Sequence, residues 1–308
     1  MCIRDSFTID VDSTICETYG VKKQGGSKFT YAKVRGYHPL LAVAAGTGEV
    51  LHSRLRAGPA HTTRGAASFI CETITRLRGA GATGEITLRA DSGFYNLKVV
   101  RTCRRKGVRF SITVKLYKQL KALLAALPEW AWTSIPYFIA GAAVAEIAYT
   151  PFGEEGFPVR LIVRRVPPTP GSQLALFTDY SYHAFICDRE GETLALEADH
   201  RRHAEIENAI RDLKYGVGLN HLPSGRFAAN AAWLALQVVA HNLGVWVNRL
   251  GLRQAPLRMK TLRQRYLSLP GRLTRGAGGR RLALPLDWPW GEQFMAALAR
   301  LRALPLLA

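Results

Sequence analysis

The order of strand-like and helix-like runs between residues 7 and 114 limits this chain to one class of fold. Residues 7–15 read FTIDVDSTI, with Ile9 and Val11 on one side and Asp10, Asp12 and Thr14 on the other, the two-residue period of a strand. Two more strand-like runs follow at 40–45 and 50–55. They are joined by Gly46-Thr47-Gly48-Glu49, a link that suits an antiparallel hairpin. Ala67, Ile70, Ile74 and Leu77 then fall on one helical stripe over 63–77, which the glycines of 79–84 end. A buried-strand run at 86–91, a short helix at 95–106 and a strand at 108–114 complete the series. Three strands in a meander, then helix–strand–helix–strand, predict an α/β fold on a mixed sheet flanked by helices.

The alternation stops after residue 114. Residues 115–197 carry Trp130, Trp132 and strand-like runs at 144–149, 159–166 and 183–187, which predict a β-rich insertion. A polar helix at 196–214 and an apolar one at 227–247 follow. The predicted division is therefore 1–114 for the first part of the core, 115–197 for the insertion, 198–250 for the end of the core and 251–308 for a basic, α-helical C-terminal extension. The run 227–247 has no formal charge, but Asn230, Gln237, His241 and Asn242 recur in it at near-helical spacing. Membrane spans seldom hold so many polar groups, so the expectation is a buried core helix, and no membrane partner.

Charge narrows the partners. Against 23 Asp and Glu stand 42 Lys and Arg, a formal net charge of +19 on 308 residues. On a chain with 48% hydrophobic residues, which excludes disorder, such a field selects for polyanions, nucleic acid first among them. Residues 248–286 hold Arg249, Arg253, Arg258, Lys260, Arg263, Arg265, Arg272, Arg275, Arg280 and Arg281 and no acid, a pattern that favours phosphate-backbone binding. The five cysteines, Cys2, Cys16, Cys71, Cys103 and Cys187, are scattered and form no CxxC, which disfavours a disulfide framework or a structural zinc site. The polar opening at residues 1–6 is no secretory signal, and a cytoplasmic location is expected.

Three acids stand where chemistry is placed in such folds. Asp12 is near the end of the first strand, Asp91 closes the strand at 86–91, and Glu207 lies on the polar helix. Strand ends and the helices beside them form the ligand crevice of an open α/β sheet. Converging carboxylates there would hold hard divalent cations, and Mg²⁺ shares its shell readily with phosphate. Taken singly, a strand-end Asp is more often a turn residue and a helical Glu a solvated one. On the helix, His200, His203, Glu207 and Lys214 share one stripe beside the apolar Ile206, Ile210 and Leu213, whereas Glu205 faces the opposite side. Asp10, on the same strand face as Asp12, is the alternative ligand.

In three blocks the chain resembles the catalytic domain of bacterial insertion-sequence DDE transposases. They are Asp10-Val11-Asp12-Ser13-Thr14, Arg89-Ala90-Asp91-Ser92-Gly93-Phe94 and HRRHAEIENAIRDLK at 200–214. Downstream, Ala228-Ala229-Asn230-Ala231-Ala232 and Asp287-Trp288-Pro289-Trp290 add to the likeness, which spans roughly residues 7–290. The resemblance implies an RNase H-like core with a β-strand insertion before the last acid. It also implies that Asp12, Asp91 and Glu207 are the metal-binding catalytic triad on two Mg²⁺ or Mn²⁺ ions. The implied activity is cleavage of transposon ends and strand transfer into target DNA. The partner would be double-stranded DNA, held by a homodimer, in a bacterial, nucleoid-associated setting.

The signature helix of such enzymes has a tyrosine seven residues before the Glu, an arginine four before it and a lysine seven after it. Here those positions are His200, His203 and Lys214, and all three are expected at the DNA, joined by Arg258, Lys260, Arg263 and Arg265 of the basic run. The first Asp stands twelve residues in, so an amino-terminally truncated transposase is expected. Two rival readings remain: an RNase H-like nuclease without strand transfer, and a non-catalytic nucleic-acid-binding remnant. Trp130 and Trp132 are candidates for stacking on an unpaired base or for packing within the insertion. The pair His200 and His203, with no cysteine or third histidine near in sequence, is read as helix polarity rather than a zinc site.

Overall fold

Residues 40–44 (LLAVA) have no polar position, and the strand they form, Leu40–Ala44, is buried along its whole length. A strand covered on both faces needs no alternation. The computed structural model describes residues 6–20, 22–171, 173, 180–253, 256–276 and 279–305. Cys2 and the opening at 1–5 lie outside the described residues. The chain forms two compact units, one of residues 1–14, 40–46 and 60–206, the other of 15–39, 47–59 and 207–308.

In the first unit, Leu40–Ala44 runs antiparallel to Ser6–Ser13, which pairs in parallel with Glu85–Ala90, and that strand in parallel with Val108–Thr113. This is the mixed sheet expected. Helix Ala66–Gly79 buries Phe69, Ile70, Ile74 and Leu77, and helix Leu97–Arg105 buries Val99, Val100 and Cys103. Asn96 starts the second of these by accepting the Lys98 N–H at 2.9 Å. Beyond Val108–Thr113, the strands found between residues 133 and 187 continue the same sheet. Ser181–Cys187 pairs antiparallel with Val108–Thr113, followed by Val159–Val166, Ala143–Tyr149 and the short Thr133–Ser134. Helix Thr193–Arg201 closes this end, with Leu196 buried among Val144, Ile162, Phe185 and Cys187.

In the second unit, helix Phe227–Trp246, expected as a buried core helix, is buried on one face and exposed on the other. Its polar residues turn inward: Asn230, Gln237 and His241 are buried, while Leu236, Val239 and Leu243 are exposed. For Asn230, Asn242 and His241 the reason lies in backbone groups that need partners, whereas the buried Gln237 amide meets none among the described residues. Asn230 accepts from the Ser224 N–H at 3.0 Å and donates to the Ser224 carbonyl at 2.8 Å, fixing the entry to the helix. Asn242 does the same for Val50, at 2.8 and 2.9 Å, and His241 Nε2 lies 2.9 Å from the Gly48 carbonyl. Gly25, at φ +71°, passes so close to Phe227 that a Cβ would fall 2.0 Å from its ring. Among the described residues, no helix is long and apolar enough to cross a membrane.

The C-terminal part contains helices Met259–Leu262 and Gly291–Arg302, and also a β-hairpin, Arg272–Gly276 with Gly279–Ala283, that a purely helical extension does not include. The Asp287-Trp288-Pro289-Trp290 motif is a packing element. Trp288 lies 5.1 Å from Phe294, ring centroid to centroid, and donates its indole N–H to the Arg265 carbonyl at 3.0 Å.

Candidate active site

The parallel register of Ser6–Ser13 with Glu85–Ala90 sets Asp10 opposite Arg89 and Val11 opposite Ala90. One step further, Asp12, still within Ser6–Ser13, and Asp91, just past Glu85–Ala90, stand on adjoining strands at their C-terminal ends, where neighbouring strands are about 5 Å apart. Both are half-buried. Asp12 Oδ1 accepts the Ser13 N–H at 2.6 Å, and Asp91 Oδ1 accepts the Gly93 N–H at 3.0 Å, which turns the chain into the short helix Ser92–Phe94. Thr62 spans the two ends. Its hydroxyl is 3.4 Å from that of Ser13, and a Cβ added to Gly93 would meet Thr62 at 2.9 Å and the Asp91 carboxylate at 3.0 Å. Thr62 and the need for glycine at 93 were not expected from sequence.

Behind this pair lies a buried ion network. Arg89, 1% exposed, donates through Nε and Nη2 to both oxygens of Asp10 at 2.8 Å each. Its Nη1 reaches the Asp199 carbonyl at 2.5 Å and the Asp199 carboxylate at 3.0 Å, and Arg189 holds the other Asp199 oxygen. Burial alone would lower the Arg89 pKa, but the bonds and charges of Asp10 and Asp199 outweigh it and the net shift is upward. Asp10, the alternative metal ligand, is thereby spent inside the protein. Arg89 stands two residues before Asp91 and Asp10 two before Asp12, so the network pins both acid-bearing strands and ties them to the helical run that starts at Thr193.

That run is not one regular helix. It is α-helical over Thr193–Arg201, tightens to 3₁₀ over Arg202–Glu205, returns to α over Ile206–Arg211 and widens to a π turn at Asp212–Gly216. Ile206, Ile210 and Leu213 are buried as expected. His200 and His203, both expected at the DNA, are engaged inward. His200 stacks on Phe185 at 4.0 Å, with Nδ1 2.7 Å from the Ser111 hydroxyl and Nε2 3.0 Å from that of Thr113. Neither nitrogen is left for a phosphate. Burial, with the charges of His203, Arg89, Arg164 and Arg189 adding, holds the His200 pKa well below 6.5. His203 Nδ1 lies 3.0 Å from Asp10 Oδ1.

The second unit carries the remaining expected site residues. Glu207 is exposed, and Lys214 is half-buried in the π turn. Arg258 donates to Asn208 at 2.8 Å, Arg263 to the Gly216 carbonyl at 2.7 Å, Arg265 covers the Trp290 ring at 5.3 Å, and Lys260 is exposed. The structure thus brings Asp12 and Asp91 together. Among the described residues, no group of three His, Cys, Asp or Glu side chains is gathered closely enough to hold a metal ion. The paired carboxylates of Asp12 and Asp91 are nonetheless the hard oxygen donors that a divalent cation takes.

From residue 3 to residue 306 the sequence matches the family described as transposase DDE domain, group 1. The chain belongs to that family. Transposases of this kind use divalent metal ions. No curated protein matches the sequence. Among solved structures, the cryo-EM structure of a piggyBac transposase synaptic complex with hairpin DNA is similar at a TM-score of 0.46 and 11% identity. That likeness covers 84% of this DDE chain and 50% of the piggyBac chain, half of its length.

Proposed function

We propose that the chain is the catalytic part of a DNA transposase that cleaves transposon ends and joins them to target DNA. What supports this reading is the adjacency of Asp12 and Asp91 at the ends of neighbouring parallel strands, in a chain that the DDE family matches almost throughout. Asp12, Asp91 and Glu207 would hold two Mg²⁺ or Mn²⁺ ions. When bound, such ions neutralise charge on the scissile phosphodiester and stabilise the attacking and leaving oxygens. The strand ends fixed by the Arg89 network keep two of the three carboxylates from drifting, as a site that must hold reacting atoms in line requires.

In the first step a water oxygen bonds to phosphorus and the P–O3′ bond breaks, with a proton from that water passing through solvent to the leaving O3′, which gives a 3′-hydroxyl on the transposon end and a 5′-phosphate on the flanking strand. In the second, that 3′-oxygen bonds to a target phosphorus and the target P–O3′ bond breaks, the proton of the attacking hydroxyl passing through solvent to the leaving target O3′. One phosphodiester replaces another, so no nucleotide cofactor is consumed. Lys214, Arg258, Lys260, Arg263 and Arg265 would grip backbone phosphates as charges, within a homodimer that pairs two ends. His200 would take no part in this, because both its ring nitrogens meet hydroxyls of Ser111 and Thr113, whereas His203 engages Asp10 through Nδ1.

The test is strand transfer of labelled transposon-end duplexes into supercoiled plasmid with Mg²⁺ or Mn²⁺. Joined products support the transposase. Cleavage without joining supports a nuclease, and DNA binding with neither supports a non-catalytic remnant.

A further inference from the structure

The basic run takes, over residues 272–283, a form that its composition did not announce. Arg272–Gly276 and Gly279–Ala283 pair as a two-stranded antiparallel ribbon, and every residue of both strands is exposed. Leu273 and Leu282, opposite each other, remain 64% and 62% exposed. A hairpin with neither face covered is marginal in water. Its register makes matters worse, because Arg275 stands directly opposite Arg280, and like charges opposite one another are destabilising. No acid lies anywhere between residues 248 and 286 to compensate.

The arginines are divided between the two faces. Arg275 and Arg280 share one with the leucines, while Arg272 and Arg281 share the other with Thr274. A lipid surface would favour one apolar and one charged face, and a second copy of this ribbon would bring like charges together along its edges. Charge on both faces suits a cleft with a phosphate wall on each side. The major groove of duplex DNA, about 12 Å wide, is such a cleft and admits a two-stranded ribbon.

We propose that the ribbon 272–283 is a DNA-engaging arm that lies in the major groove, with Arg272 and Arg281 reaching one phosphate wall and Arg275 and Arg280 the other. It rests on the reading of the chain as a DNA transposase, and it assigns a further contact surface beyond the acids and the lysine of the catalytic helix.

The experiment measures binding of the full chain to a random-sequence 30-base-pair duplex by fluorescence anisotropy across a salt series. Three proteins are compared: the wild type; a ribbon variant with Arg272→Gln, Arg275→Gln, Arg280→Gln and Arg281→Gln; and a control that loses the same charge through Lys98→Gln, Arg105→Gln, Lys118→Gln and Lys121→Gln. The ribbon variant is expected to bind at least about tenfold more weakly, with the slope of log K against log salt reduced by about 3 to 4, roughly one per lost phosphate contact. The control is expected to change the slope by less than about 1. Hydrogen exchange of the wild type is expected to slow at 272–283 when the duplex is added. Equal losses in ribbon variant and control, or an unchanged ribbon variant beside a wild type that binds, would overturn the arm and leave the transposase reading standing. A wild type that does not bind the duplex would overturn both.

Discussion

Replacing Arg89 by Met should cost this protein more than almost any other single change to a polar residue. The guanidinium is 1% exposed, both oxygens of Asp10 rest on it at 2.8 Å, and Asp199 is bound through carbonyl and carboxylate. In Arg89→Met the Asp10 carboxylate stays buried with His203 Nδ1, at 3.0 Å, as its remaining partner in the network. Breaking a buried ion pair from one side costs about 3–5 kcal/mol, because the surviving charge is stranded. At about 2 °C per kcal/mol for a chain of this size, the melting temperature should fall by roughly 6–10 °C. The double variant Arg89→Met with Asp10→Asn leaves no stranded carboxylate there and should recover a large part of that loss. Urea denaturation of wild type, both single variants and the double variant reads the coupling directly. If Arg89→Met costs less than about 1 kcal/mol, or if the two single losses simply add, the network does not hold the strands as argued.

Acid should destabilise the protein through His200. Its pKa is held below 6.5 in the folded chain, so below that pH the unfolded chain takes up a proton that the folded one refuses, and stability falls as pH falls. The slope from one such group reaches about 1.4 kcal/mol per pH unit. His183 and His241, lowered chiefly by burial, act in the same direction, so denaturation midpoints between pH 7 and 5 should flatten in His200→Gln without becoming level. Asn242→Ala should cost about 1–3 kcal/mol in chemical denaturation, because the Val50 N–H and carbonyl lose their partner together. An Asn242→Ala variant as stable as the wild type would refute the account of the inward polar face.

The part of the fold that sequence made legible is the part governed by local period. Strands at 7–13, 86–90 and 108–113 and the helices between them announce themselves because their apolar spacing is set by neighbours in the chain. Asp12 and Asp91 were visible for the same reason, as acids at strand ends. Partnership over long separations was not visible. Arg89 is 79 residues from Asp10 and 110 from Asp199, and a lone arginine in an apolar strand gives no hint of which acids it will meet. The spacing of Asn230, Gln237 and His241 showed that they share a stripe, but not that this stripe would face inward; that was decided by backbone groups at Ser224, Gly48 and Val50. His200 and His203 stand where the DNA-facing signature has a tyrosine and an arginine, and both rings have partners inside the protein: Ser111 and Thr113 for His200, Asp10 for His203. The strand-like runs at 144–149, 159–166 and 183–187 were legible singly, Thr133–Ser134 was not, and their joining the core sheet depended on register with Val108–Thr113.

The proposed function assigns metal-dependent cleavage to Asp12, Asp91 and Glu207. Its most direct test is nicking of supercoiled plasmid with Mg²⁺ or Mn²⁺ by the wild type, Asp91→Ala and Glu207→Ala, each checked for an unchanged melting curve. The wild type is expected to nick the plasmid, EDTA to abolish nicking, and both folded variants to lose it by at least about a hundredfold. Nicking that survives in either folded variant, or that proceeds without a divalent cation, would contradict the assignment.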